Sequence, residues 1–204
     1  YGCVAAQANE RIYAFAITDP EQHLLAHIKE FFQREGIKLK GKIVFGIMPV
    51  DAIKIKTFYS PPLIDLIKHM LQESDNLYAN SITKTLGFIL TGEGTYKQGV
   101  YAIKKILQAH THIDLKQLDL QDGMGTRYNL ATAEQFVLLL SDLYKDEINR
   151  KILLQVLPQS GSSGTLKDRM NTSSLNQKVL AKTGTMHDIS SLSGYLLNQN
   201  AIFR

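Results

Sequence analysis

Apolar residues recur at helical spacing in several stretches of this chain. After Pro20 they return every three or four positions as far as Phe32, and Gly36 ends the pattern. This spacing predicts an amphipathic helix. Further helices are predicted over residues 63–71, over residues 77–86 with Gly87 as the end, over residues 100–108, and after Thr132, which has the side chain of an N-cap.

Short apolar or alternating runs predict strands elsewhere in the chain. These runs cover residues 12–17, 43–47, 53–57, 118–120, 179–181 and 192–197. The last two flank a loop, as in an antiparallel hairpin, and glycine-bearing loops are predicted over residues 91–99 and 159–165. Strands near both ends with helices between them indicate an α+β fold with an antiparallel sheet.

The composition is that of a globular protein able to bury a core. Of the 204 residues, 44% are hydrophobic and 21% are charged. The net charge is +4, but the lysines are spread along the chain, which favours a solvated surface over a nucleic-acid-binding face. No apolar run approaches the length of a membrane span, and the single cysteine, Cys3, excludes a disulfide within the chain.

The histidines do not have the spacing of a metal site. His23 and His27 are four residues apart, but no glutamate between them completes the His-Glu-x-x-His pattern of zinc peptidases. We therefore expect no metal, and nothing in the sequence implies an organic cofactor.

Two tripeptides, Ser74-Asp75-Asn76 and Lys182-Thr183-Gly184, carry candidate chemistry. The first lies between two predicted helices and the second ends a predicted strand. Each also has a purely structural interpretation, because Ser-Asp-Asn suits a helix N-cap and Lys-Thr-Gly suits the entry to a turn. In this order, the pair matches two of the three motifs of penicillin-binding proteins and serine β-lactamases.

Acyl transfer to a serine explains these residue types. The reaction needs a proton path to the leaving group and donors for the developing oxyanion. The Ser74 hydroxyl can relay a proton, and the Asn76 amide can hold the amide carbonyl of a substrate. Lys182 and the Thr183 hydroxyl can bind a terminal carboxylate, and Gly184 leaves room for the substrate to approach the strand.

The neighbouring segments make the pattern specific. They are residues 59–63 (YSPPL), 69–70 (HM), 77–79 (LYA), 122–129 (DGMGTRYN), 157–158 (LP), 164–169 (GTLKDR) and 190–195 (SSLSGY). Together with the two tripeptides, they resemble the S13 family of penicillin-binding proteins, the PBP4-like D-alanyl-D-alanine carboxypeptidases and endopeptidases. The resemblance runs from about residue 15 to residue 197.

This resemblance implies a β-lactamase/transpeptidase-like α+β domain that is incomplete in this chain. Residues 1–18 would be the tail of an inserted domain or linker, and residues 19–204 the C-terminal portion of the catalytic domain. By the same resemblance Ser74, Asn76 and Lys182 are the catalytic residues. Asp75, Thr183, Gly184 and Thr185 are the substrate-binding residues.

The sequence departs from the family pattern at two places. The family has Asp-Gly-Ser-Gly-Leu-Ser-Arg where this chain has Met124 in place of the first serine and one residue fewer before Arg127. The family's first motif, Ser-x-x-Lys, belongs well before Ser74, and residues 1–73 do not contain it. We therefore expect this chain to lack the nucleophile and to be inactive by itself.

Residues 81–84 (SITK) match the Ser-x-x-Lys pattern of the first motif, but they follow the second motif and do not precede it. Ser81 follows Ser74 by seven residues, which is about 10 Å along a continuous helix. A nucleophile and its proton relay must come within about 3 Å of each other. We therefore interpret Ser81 as an ordinary helix residue.

The resemblance implies a serine-type D-Ala-D-Ala carboxypeptidase or endopeptidase that acts on peptidoglycan muropeptides and is inhibited by β-lactams. It further implies a periplasmic or cell-envelope location, with no nucleic-acid partner and no cofactor. Two alternatives stay open: a related serine β-lactamase or esterase, and a non-catalytic wall-binding module that lost its nucleophile. The oligomeric state is open as well.

Overall fold

The computed structural model describes residues 17–172 and 174–198 and the backbone of strand Ile202–Phe203. The chain divides into two compact units, Tyr1–Thr57 and Phe58–Arg204. The strand expected over residues 12–17 lies outside the described residues except for Ile17. The domain boundary expected near residue 18 stays a prediction.

In the first unit, helix α1 (Pro20–Arg34) confirms the predicted amphipathic helix. Asp19 is the N-cap, and its carboxylate accepts a hydrogen bond from the Gln22 amide (2.9 Å). Proline suits the first helical position because its nitrogen has no hydrogen to leave unpaired. The helix ends at Arg34 with Glu35 as its C-cap, and Gly36 follows with a φ of +67°.

The strands predicted over residues 43–47 and 53–57 are wrong. The described backbone from residue 37 to residue 57 contains neither helix nor strand. Ile47 of the first run and Ile55 of the second are 100% and 97% exposed, so neither residue lies on a buried face. A strand needs a neighbour to exchange backbone hydrogen bonds with, and no described segment pairs with this one.

The second unit is mostly helical. Its helices are α2 (Leu63–Glu73), α3 (Asn76–Thr91), α4 (Tyr96–His110), α5 (Ala133–Lys145) and α6 (Glu147–Val156), with 3₁₀ turns at Leu115–Gln117 and Gly164–Leu166. The helices predicted over residues 63–71 and after Thr132 are confirmed. The Thr132 hydroxyl accepts from the Gln135 amide and the Gln135 side chain accepts from the Thr132 amide, which forms a capping box.

Gly87 lies inside α3 and is not its end, contrary to the prediction. The helix continues to Thr91, and Gly92 supplies the left-handed C-cap with a φ of 82°. A Cβ at Gly87 would lie 2.6 Å from the backbone nitrogen of Gly99 on α4. Gly87 therefore permits the close approach of two helices and does not stop either of them.

Helix α4 begins earlier than the sequence pattern indicated. Residues 91–99 were predicted as a loop, but α4 starts at Tyr96 because the Thr95 hydroxyl accepts from the Gln98 amide (3.2 Å) and caps it. The loop between α3 and α4 is correspondingly shorter.

An antiparallel hairpin, β1 (Val179–Met186) and β2 (Ile189–Leu197), forms most of the sheet, and it confirms the predicted hairpin. The two-residue strand β3 (Ile202–Phe203) pairs with the end of β2. The tripeptide that begins at Lys182 lies inside β1 and does not end it, because the pairing continues to Met186↔Ile189. The strand predicted over residues 118–120 is reduced to one bridge, Asp119↔Leu130.

The core of the second unit lies between the hairpin and the helices. Leu157, Leu180 and Tyr195 form its buried centre. Partly buried residues of α2, α5, α6 and β2 pack around them: Leu71, Leu140, Tyr144, Leu153, Leu154 and Leu197. Among the described helices, none is both long enough and apolar enough to cross a membrane.

Asp142 on α5 fixes the segment that follows α4. Its side chain is only 7% exposed, and Oδ2 accepts from the backbone amide (2.8 Å) and ring Nδ1 (3.0 Å) of His112. Lys145 Nζ donates to Oδ1 (3.1 Å). The hydrogen bond from the His112 backbone amide, followed by the ring and the Lys145 ammonium, lowers the pKa of Asp142 from 3.8 to about 2.

We predict that Gly99→Ala destabilises the helix pair. The added Cβ would stand 2.4 Å from the Thr83 carbonyl oxygen, which is backbone and cannot rotate away. We expect the free energy of unfolding to fall by about 1–3 kcal/mol in urea titration. Gly94→Ala is the matched control, since its Cβ would have no neighbour closer than 3.7 Å. Equal stabilities for the two variants would contradict the close packing.

We predict that Asp142→Asn destabilises the second unit in a pH-dependent way. The folded pKa of about 2 lies below the ordinary value of 3.8, so the carboxylate stabilises the fold above about pH 5. The difference in unfolding free energy between wild type and variant should shrink as the pH falls from about 4 towards 2. Asp168→Asn, at an exposed aspartate, is the control. A difference that does not change with pH would contradict the assignment.

Candidate active site

Ser74 stands in a tight turn between two helices. It is the C-cap of α2 and has left-handed backbone angles (φ 57°, ψ 43°), which are uncommon for a residue with a side chain. The Ser74 and Asp75 amides both donate to the Met70 carbonyl. Only Ser74 and Asp75 separate α2 from α3, so the chain changes direction here and the Ser74 side chain is exposed at the corner.

Asp75 holds this corner together. Its Oδ1 accepts from the amides of Leu77 (2.9 Å) and Tyr78 (3.2 Å) at the start of α3. Its Oδ2 lies 3.2 Å from His69 Nε2 on α2. Burial alone would raise the pKa of this carboxyl, but the hydrogen bonds from Tyr78, His69 and Leu77 outweigh it and lower the pKa. Both carboxylate oxygens are thus engaged within the protein.

Lys182 reaches across the fold to Ser74. Its Nζ donates to Ser74 Oγ (2.8 Å) although the two residues are 108 positions apart, and it also donates to the Thr183 carbonyl oxygen (2.7 Å). The lysine is half-buried, and this burial lowers the pKa of its ammonium. The two tripeptides therefore meet through these two side chains.

Among the described residues, no side-chain hydrogen bond joins Asn76, Gly184 or Thr185 to Ser74 or Lys182. Asn76, the first residue of α3, is exposed. Its side-chain amide has no hydrogen-bond partner within the described part of the chain. Thr185 is exposed on β1. At Gly184 a Cβ would lie 2.4 Å from Ser191 Oγ on β2, so the glycine makes room for its cross-strand neighbour.

The outer edge of β1, which faces away from β2, carries backbone hydrogen-bonding groups and the Lys182 ammonium. Ala181 N donates to Pro158 O and Ser160 N donates to Val179 O, so the backbone of alternate residues points away from β2. By this alternation the backbone groups of Thr183 and Thr185 point to the same side. The Lys182 ammonium lies there as well, since it donates to the Thr183 carbonyl.

Sequence reasoning missed the residues that support the pair. Gln72 Nε2 donates to the carbonyls of Val156 (3.1 Å) and Leu157 (2.9 Å) and so fastens the end of α2. Thr183 Oγ1 donates to Thr165 Oγ1 (2.8 Å). The sequence signal for Thr165 was the segment at residues 164–169, and no periodicity marks Gln72.

The segment at residues 122–129 docks on α3 a turn beyond Asn76. Asp122 accepts from the amides of Met124, Gly125 and Thr126, and hydrogen bonds from Thr126 and Asn129 hold the pKa of this carboxyl low against the effect of burial. The Gly123 amide donates to Asn80 Oδ1 (3.3 Å). Asp-Gly signalled this turn in the sequence.

Ser81 and Lys84 do not form a nucleophile–base pair in this structure. The Lys84 ammonium lies over the Tyr96 ring, 4.2 Å from its centroid. The carbonyl of Ser81 accepts from the Thr85 hydroxyl within the helix.

An open cleft of about 600 Å³ lies beside α2. None of the seven predicted site residues lines it; its walls include Lys68, Gln72, Glu73, Ser163 and Gly164. The candidate site is thus defined by the contact between Ser74 and Lys182 and not by a deep cavity.

Known proteins are similar to this chain in sequence. The chain is 29% identical over 201 residues to the D-alanyl-D-alanine carboxypeptidase DacB of Haemophilus influenzae, which covers 97% of this chain and 42% of that protein. It is 30% identical over 195 residues to a D-alanyl-D-alanine carboxypeptidase of Actinomadura sp. (strain R39), covering 91% of this chain and 36% of that protein. The chain spans about two fifths of the length of these relatives.

Solved structures of related proteins have a similar fold. The crystal structure of penicillin-binding protein 4 (dacB) from Haemophilus influenzae superposes with a TM-score of 0.83 at 28% identity, over 92% of this chain and 42% of that one. The same protein complexed with a β-lactam gives 0.82. A predatory endopeptidase of Bdellovibrio bacteriovorus, at 20% identity and a TM-score of 0.58, shares the fold.

The match to the family extends over almost the whole sequence. Residues 1–202 match the family described as D-Ala-D-Ala carboxypeptidase 3 (S13). With the two motif tripeptides joined at Ser74 and Lys182, this chain belongs to the S13 family of D-Ala-D-Ala carboxypeptidases.

Proposed function

We propose that this chain forms part of a serine-type D-Ala-D-Ala carboxypeptidase or endopeptidase that acts on peptidoglycan stem peptides. The observation that carries the proposal is the 2.8 Å hydrogen bond from Lys182 Nζ to Ser74 Oγ. The enzyme would form an acyl-enzyme intermediate, would be acylated by β-lactams, and would work in the periplasm or cell envelope. The second unit would be part of a β-lactamase/transpeptidase-like domain.

The donor pattern at Ser74 suits proton relay to a leaving group. An ammonium only donates, so Ser74 Oγ is the acceptor and the hydroxyl keeps its own proton for another partner. That proton can pass to the nitrogen of the departing D-Ala, and the Lys182 ammonium can replace it. The lowered pKa of Lys182 makes this transfer easier.

The outer edge of β1 suits an extended peptide. A substrate strand can pair with the outward backbone groups of Thr183 and Thr185. The Thr185 amide would then be a candidate oxyanion donor, and the Lys182 ammonium and Thr183 hydroxyl would bind the terminal carboxylate. Asn76, exposed at the start of α3, would hold the amide carbonyl of the substrate. Asp75 would contribute through the turn that it caps.

The nucleophile is assigned to a Ser-x-x-Lys segment that residues 1–73 do not contain. The observation against Ser81 as an alternative nucleophile is that Lys84, which would have to be its base, lies over the Tyr96 ring. This chain would then supply the groups that orient and polarise the substrate.

We predict that Lys182→Ala, in the protein that joins this chain to the Ser-x-x-Lys segment, selectively impairs substrates with a free carboxylate. Loss of a charge-assisted hydrogen bond costs about 1.5–3 kcal/mol, or roughly tenfold to a hundredfold in kcat/KM. Amidated substrates should lose only the contribution of Lys182 to the proton relay, because they present no anion, so the free acid should lose this additional factor. Lys178→Ala, at an exposed lysine at the foot of β1, is the matched control. Equal losses for both substrates would refute the carboxylate role.

We predict that this chain alone forms no covalent adduct with a labelled penicillin. Orienting groups without a positioned nucleophile cannot form a stable acyl-enzyme. Intact-protein mass spectrometry makes the measurement, and the protein that also contains the Ser-x-x-Lys segment should gain one adduct per chain. An adduct on Ser81 of the isolated chain would overturn the assignment.

A further inference from the structure

The Thr183 hydroxyl has a partner that is also a hydroxyl. Thr183 Oγ1 donates to Thr165 Oγ1 at 2.8 Å, and both side chains are half-buried. The two residues are 18 positions apart, one on β1 and one in the 3₁₀ turn Gly164–Leu166. This contact joins the loop before the hairpin to the second residue of the Lys-Thr-Gly tripeptide.

Thr165 is held in place from both sides. Gly164, with a φ of +55°, packs so tightly on α2 that a Cβ there would lie 2.5 Å from Gln72 Oε1 and 2.8 Å from the Gln72 carbonyl. Leu166 is fully buried. Because Gln72 lies two residues before Ser74, the Thr165 hydroxyl is fixed to the same helix end that presents Ser74.

Two hydroxyls joined by one hydrogen bond use one of their two protons in that bond, and the other proton is available for another acceptor. Either hydroxyl can rotate to become the donor, since each has one O–H and two lone pairs. When Thr165 donates to Thr183, the remaining proton belongs to Thr183 and can point to a third group. A carboxylate only accepts, so it selects this second arrangement, and the two hydrogen bonds in series strengthen each other.

We infer that Thr165 is a positioning residue for carboxylate recognition: its hydroxyl turns the Thr183 hydroxyl into a donor towards the terminal carboxylate of the substrate. The inference rests on the proposed function, because it needs a substrate anion beside Thr183. The side chain at position 165 must accept a hydrogen bond from Thr183 when no substrate is bound and donate one to Thr183 when the carboxylate is bound. Threonine and serine can do this and valine cannot.

The test compares Thr165→Val with Thr165→Ser in the protein that joins this chain to the Ser-x-x-Lys segment. The substrates are a stem-peptide mimic that ends in D-Ala-D-Ala and the same peptide with a C-terminal amide. We expect Thr165→Val to lower kcat/KM for the free acid by about threefold to tenfold and for the amide by less than about twofold. Thr165→Ser should stay within about twofold of wild type on both. Circular dichroism and thermal unfolding verify the fold of each variant.

A double-mutant cycle tests whether Thr165 acts through Thr183. In a Thr183→Val background, the further change Thr165→Val should have no additional effect on the free acid. Additive losses, equal losses on the acid and the amide, or a failure of Thr165→Ser to restore activity would each overturn the inference while leaving the proposed function standing. A wild-type protein that cleaves neither substrate and forms no penicillin adduct would overturn the proposed function, and the inference with it.

Discussion

The contact between Lys182 and Ser74 depends on one shared hydrophobic core. Leu71 lies three residues before Ser74, Leu180 lies two residues before Lys182, and both pack in the cluster centred on Leu157 and Tyr195. Buried side chains at native packing density cannot shift independently. The core therefore sets the distance between two motifs that the chain separates by 108 residues.

In the same arrangement, the Lys182 ammonium has no acidic partner among the residues that the structure describes. Within the described residues, Lys182 Nζ donates to a hydroxyl and to a carbonyl, and its lowered pKa has burial as its cause, with no contribution from a neighbouring carboxylate. An ammonium that is half-buried among neutral acceptors is less favourable than one that is fully solvated. An incoming carboxylate would offset that penalty, which couples the stability of the site to the binding of an anion.

How far the sequence predicts this protein depends on the range of each interaction. The hairpin and the cap at Thr132 were predictable because pairing and capping act between close neighbours in sequence. Gly87 was misjudged because its role is contact with Gly99 on another helix, which no local pattern encodes. Residues 43–47 have strand-like composition, but strands also need a partner. The partnership of Thr165 with Thr183 is likewise set by tertiary packing.

The structure confirms that Asp75 of the Ser-Asp-Asn tripeptide is a helix cap, and the catalytic role proposed for the tripeptide would depend on that cap. Asp75 caps α3 and binds His69 on α2, so it closes the corner at which Ser74 adopts left-handed backbone angles. Such angles cost of order 1–3 kcal/mol and persist only where the surrounding structure enforces them. Here the two helix ends and the capping carboxylate enforce them, and the result is a hydroxyl held at a convex corner within reach of Lys182. The cap is therefore the structural means by which the sequence presents the serine.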